Sequence, residues 1–212
     1  MATFGAVKTA VSRRLLDDSN TAVTAVEVAT AINDAIDTWK HKRFWFNTAD
    51  ADLTIEEGST EVDLPTDFLT PIPRNALTII ENGETFMVTK VSPVIFDSFS
   101  NTAATGRPKR FCYREGALEF QPAADRDYAG KLYYLKEYTA FATDATQDST
   151  TNDFLTEGRN LVQNEALANL HGELRQDEKM EDRYIKRRDA EYDTLLGRTN
   201  MLLKTGTLTV EQ

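Results

Sequence analysis

Apolar residues recur at helical spacing towards both ends of the chain and alternate with polar ones in the middle. Phe4, Val7, Val11 and Leu15 fall three and four residues apart and form one helical stripe, which Asp17, Asp18, Ser19 and Asn20 break. Thr24 and Glu27 have the spacing of a capping box, in which each side chain satisfies a free backbone N–H at a helix start. Val28, Ile32, Ile36 and Trp39 then share one face, with Asn33, Asp34, Asp37 and Lys40 on the other.

After residue 50 the period changes. Leu53-Thr54-Ile55 and Val62-Asp63-Leu64 flank Glu57-Gly58-Ser59, residues 76–80 and 86–89 flank Asn82-Gly83, and residues 110–113 and 118–120 flank Glu115-Gly116. Each is a hairpin signal. Asn-Gly is the strongest, because both residues tolerate the left-handed backbone of a tight two-residue turn. Lys131 to Tyr138 reads as a seventh strand, and Ser92-Pro93 opens a short helix through Phe99.

Helical spacing returns after a polar stretch. Phe154, Leu155, Gly158, Leu161, Val162, Leu170 and Leu174 make a broad apolar face, capped by Asn152 or Asp153. A second helix is expected from Asp177 to about Arg198, with Met180, Tyr184, Tyr192, Leu195 and Leu196 inward. The predicted class is α+β: N-terminal and C-terminal helix pairs form a helical bundle, with an inserted antiparallel β meander or sandwich and an extended C-terminal tail. Residues 1–50 and 151–198 make the helical domain, 51–140 the β-rich insert, 141–150 a linker and 199–212 the tail. The tail alternates but is too short to be a strand alone, so Leu208 and Val210 are expected to dock on another chain. The expected core includes Ile32, Ile36, Trp39, Phe44, Trp45, Leu64 and Phe68.

Composition adds bounds. The 212 residues are 41% hydrophobic and 27% charged, within the range of globular domains. No apolar run nears the roughly 20 residues of a membrane span, and no secretory leader is expected. Cys112 is the lone cysteine, so no intrachain disulfide or cysteine-based zinc site can form. The net charge is −10, unevenly spread. Residues 51–105 carry two cations against nine anions, and residues 106–138 seven against five. The strongest pole is acidic, unlike a protein built to grip phosphate backbones.

The stretch Trp39 to Phe46, WKHKRFWF, runs against that balance. Lys40, His41, Lys42 and Arg43 fall at a helix C-terminus, where unpaired carbonyls and the backbone dipole favour cations. Trp39 completes the apolar stripe, and the following aromatics can wedge under the next element. A second basic run, Arg107, Lys109, Arg110 and Arg114, interleaves with Phe111 and Tyr113. On a strand, Arg110, Cys112 and Arg114 share one face, which suits a protein contact. Arg187 and Arg188 lie on a helix face laced with acids and are further contact candidates.

Catalytic chemistry is hard to find. There is no Gly-rich phosphate loop. His41 and His171 are far apart in sequence, with no metal-ligand spacing to Cys112, and a capping or surface role is expected for His171. Asp50 and Asp52 resemble a metal pair but sit where loop aspartates are common. Ser59 and Ser92 have no neighbouring base. No enzyme activity, metal or cofactor is expected.

The run from Ile32-Asn33-Asp34-Ala35-Ile36 through Trp39, Arg43-Phe44-Trp45-Phe46-Asn47, Asp63-Leu64-Pro65 and Asp67-Phe68-Leu69 resembles the head-to-tail adaptor (connector) proteins of tailed phages. The C-terminal helix pair is similar in pattern. The resemblance implies a structural virion protein, made in the host cytoplasm. It implies a ring of twelve copies that joins the portal to the tail, meets tail, nozzle or fibre proteins, and passes DNA without specific binding or membrane contact. An acidic wall would let DNA slide. Complementary faces for such a ring could come from the acidic 51–105 and basic 106–138 segments. The alternative is a small nucleic-acid-binding accessory protein that uses the two basic-aromatic clusters. A metal-dependent hydrolase built on the acidic segment is the third reading.

Overall fold

The computed structural model describes residues 2–18, 23–73, 76–99, 104–114 and 116–204. Two compact units emerge, one from Met1–Asn47 and Tyr138–Gln212, the other from Thr48–Glu137.

The first unit is helical. α1 (Phe4–Asp18) buries its whole stripe of Phe4, Val7, Val11 and Leu15. α2 (Ala25–Lys40) starts at Thr24, whose hydroxyl accepts from the Glu27 N–H while the Glu27 carboxylate accepts from the Thr24 N–H. α4 (Asp153–Thr156) is capped by Asn152, whose side-chain oxygen accepts from Leu155 N at 3.0 Å. α5 (Arg159–Asn169) is buried almost all round and meets α1, α2 and α6 (Glu178–Lys204). Its helical spacing is broken by a π-helical segment, Leu170–Arg175, which ends at Gln176 in the left-handed conformation. The two expected C-terminal helices are therefore separated by a π segment and a turn.

Several expectations change here. The expected tail at 199–212 begins as helix, because α6 continues to Lys204. Residues 205–212 lie outside the described residues, and with them Leu208 and Val210. The expected linker at 141–150 is fastened to the helices. Phe141 is buried and stacks on Phe4 with ring centroids 4.5 Å apart. Asn33, placed on the polar face by its period, donates to the Phe141 carbonyl at 2.9 Å and accepts from its N–H at 3.0 Å. His171 is fully buried and stacks on Tyr184, so it is no surface residue. Leu174, assigned to the inner face, is 44% exposed.

The second unit is a mixed sheet of eight strands: β1 (Thr48–Ile55), β2 (Glu61–Val62), β3 (Phe68–Pro71), β4 (Leu77–Glu81), β5 (Glu84–Lys90), β6 (Arg110–Arg114), β7 (Ala117–Gln121) and β8 (Tyr128–Lys136). The path runs β1-β8-β4-β5-β6-β7-β2, with β3 also on β8. Its two ends, β1 and β2, also touch, so the sheet nearly closes around one core. The Asn82-Gly83 turn is as expected: both residues have positive φ, 53° and 83°, and β4 pairs with β5 in register. β6 and β7 likewise form an antiparallel pair.

The purely antiparallel expectation is wrong, since β5 and β6 run parallel, linked by a connection that contains α3 (Pro93–Ser98). The expected β1–β2 hairpin is also absent. Gly58 does turn the chain with φ 78°, but its N–H donates to the Ala124 carbonyl at 2.8 Å and the Glu57 N–H to Asp127. These bonds steer β2 onto β7, while β1 pairs with β8 along its whole length. β3 was not foreseen from the sequence. β8 is the spine of the sheet. Gly130 lies in it because a Cβ would come within 3.0 Å of the Thr78 carbonyl oxygen.

Candidate interaction surfaces

Most of the WKHKRFWF stretch is spent on folding the helical unit. Trp39 and Phe46 are buried at 9% exposure and Phe44 completely. Phe44 stacks on Phe46 and meets Phe154 and Tyr192 edge-on. Trp45 is half-buried, with the Arg198 guanidinium 4.3 Å from its ring. The turn after α2 is tied by Asn47, which is fully buried. Its side chain accepts from the Phe44 N–H at 2.9 Å and donates to the carbonyls of Lys42 and Lys40 at 2.7 and 3.2 Å. Lys40 is occupied by Asp37 at 2.7 Å, which holds the Asp37 carboxyl below its ordinary range. The aromatic rings that a nucleic-acid reader would stack on bases are thus packed inside.

Arg188 takes part in the same core. Glu165, 6% exposed on α5, accepts from the Trp39 indole N–H at 3.0 Å, and Arg188 reaches it from α6 at 3.4 Å. A buried carboxylate needs such partners, because an unpaired charge away from water is costly. Glu165 carried no sign in the sequence, since acids on a helix normally face solvent. Arg187 is exposed and lies over the Tyr184 ring at 5.6 Å.

In the β unit the acidic and basic segments meet within the chain. Glu81 binds Arg107 at 2.9 Å and also Arg126. Arg114 binds Asp97 at 2.8 Å and lies 3.8 Å from Glu119. Asp50 and Asp52, on one face of β1, both hold Lys131, at 3.0 and 3.5 Å, which raises the lysine pKa. The two aspartates therefore grip a lysine of the neighbouring strand. Among the described residues no group of three His, Cys, Asp or Glu is placed to hold a metal ion.

The face of β6 shared by Arg110, Cys112 and Arg114 is less open than its sequence suggests. Cys112 is fully buried beside Glu119, and burial first, then that carboxylate, pushes the thiol up to about 11. Arg110 stacks on Phe99 at 4.0 Å. Lys109 is exposed. Leu64 and Phe68 are partly buried against the β core, and Phe68 tilts against Tyr113 and Tyr134. Ile32 and Ile36 are buried on α2.

What remains open to a partner is apolar and separate. α3 exposes Val94, Ile95 and Phe99 and buries Phe96. In the helical unit, α2 and the π segment frame a groove of about 150 Å³. No helix among the described residues is long and apolar enough to cross a membrane. The family model of the SU10 adaptor protein matches residues 2–207, across both units. A comparison with curated proteins gives no match.

Proposed function

The chain belongs to the SU10 adaptor protein family, a family of phage head–tail adaptors, and from that premise we propose how it works in the virion. It is a structural protein with no turnover, and its copies form a closed ring, twelve in number, between the portal and the tail. The ring carries tail, nozzle or fibre proteins on its outside and lets DNA pass through its channel.

The match over residues 2–207 carries this reading, because it includes both the helical unit and the β unit. The net charge of −10 suits a channel wall, since phosphate binding by counterion release needs cations, and Arg107, Arg114 and Lys131 are held by acids of the chain itself. Native mass spectrometry of the chain with and without a candidate portal protein tests the proposal. A cyclic multimer bound to the portal is expected. A chain that stays monomeric and ignores every portal offered would overturn it.

A further inference from the structure

Two exposed apolar features lie outside both cores, and they are opposite in shape and charge. The convex one is α3. Val94 is 81% exposed there, and Ile95 and Phe99 are about half exposed. Glu61 and Glu119 lie on the side of its buried Phe96, while Arg110 stacks on Phe99. Lys90 lies three residues before its first residue, Lys109 precedes β6, and Arg110 opens that strand, which α3 contacts. Asp97, the acid of α3, is neutralised by Arg114.

The concave feature is the groove between α2 and the π segment. Its floor is Val26, Ala31, Leu170 and Leu174. Its volume of about 150 Å³ matches that of apolar cavities known to accept a benzene-sized group. One large aliphatic side chain would fill it. The three ionisable residues that line it, Glu27, Asp34 and Glu173, are all carboxylates.

We propose that this groove receives α3 of a second copy of the chain, with Val94 as the inserted side chain, Ile95 against the groove's edge, and Lys90 and Lys109 facing the three carboxylates. The contact is heterologous: each copy offers a knob to one neighbour and a groove to the other, the geometry that builds rings or filaments. Symmetric pairing is disfavoured at both sites. Two α3 knobs would bring cations against cations, and two grooves carboxylates against carboxylates. The inference rests on the reading that copies of this chain assemble with one another.

Two single variants test it, Val94→Cys and Val26→Cys, both at exposed positions. They are mixed in equal amounts, one carrying a mass tag, and treated with a short bismaleimide. The native Cys112 stays silent because it is buried. The expected product is mainly the mixed dimer. Adding Asp34→Lys and Glu173→Lys to the groove copy should lower its yield several-fold, and Lys90→Glu with Lys109→Glu on the knob copy should restore it. Homodimers alone, or no cross-link, overturn the proposal, and a yield indifferent to these charge changes overturns the assigned orientation. Native mass spectrometry on the same samples separates the two levels. Multimers without the mixed cross-link overturn the groove pairing and leave self-assembly intact. Monomers without it, also when the portal protein is present, overturn both.

Discussion

In the helical unit the Glu165 carboxylate sits 6% exposed between the Trp39 indole and Arg188, whereas in the β unit Asp50, Asp52 and Asp97 meet their cations at the surface. The two arrangements use the same residue types at different cost. A buried carboxylate is tolerated only while its partners hold it, so its position is unforgiving. A surface pair exchanges protein contacts for water with little net change. Beside surface pairs such as Lys40 with Asp37, the helical unit therefore holds a buried pin that joins α2, α5 and α6. The β unit spreads its electrostatics over many pairs, each dispensable.

The sharpest way to break this comparison is Glu165→Leu. It leaves the Trp39 N–H without its acceptor and Arg188 with Asp189 alone, and should cost about 3 kcal/mol in urea unfolding, at the low end for a broken buried pair because Arg188 keeps that second carboxylate and some solvent access. A loss no larger than that of a surface variant would show that the pin is incidental. Glu81→Gln removes the partner of both Arg107 and Arg126. Its effect should be smaller than that of Glu165→Leu, and the share from the half-exposed Arg126 should fade in high salt.

The smallest expected effect is at the start of α2. The Thr24 N–H, then the Thr24 hydroxyl, hold the Glu27 carboxyl below its ordinary value of 4.5. Folding therefore favours the ionised form. The stability it adds is present above the ordinary value and is lost as pH falls through the depressed one. Unfolding midpoints of the native chain and Glu27→Gln should differ at neutral pH and converge in acid; a gap that persists in strong acid would assign the effect to packing.

The helices were legible because their determinants are local. The stripe Phe4, Val7, Val11, Leu15 and the Thr24–Glu27 box each lie within a few turns of chain, and each appears where its spacing put it. The Asn82-Gly83 hairpin belongs with them. Glu165 and Asn33 were illegible for a common reason. Their period placed them among solvent-facing polar residues, and only a neighbour distant in sequence, Trp39 or Phe141, turned them inward. The basic-aromatic texture of residues 107–114 also takes part in contacts within the chain. Arg107, Arg114 and Arg110 are answered by Glu81, Asp97 and Phe99, which the sequence places before them with no sign of contact.

The sequence by itself determined the kinds of element, the inward faces of the helices, the tight turns and the separation of a helical part from a β part. Tertiary structure alone decided which strands are neighbours, that β5 and β6 run parallel, and which charges are hidden. The physical reason is the symmetry of a strand. Alternation of side chains tells which face is buried, but the two edges carry the same backbone donors and acceptors, so nothing local says which strand will lie against them.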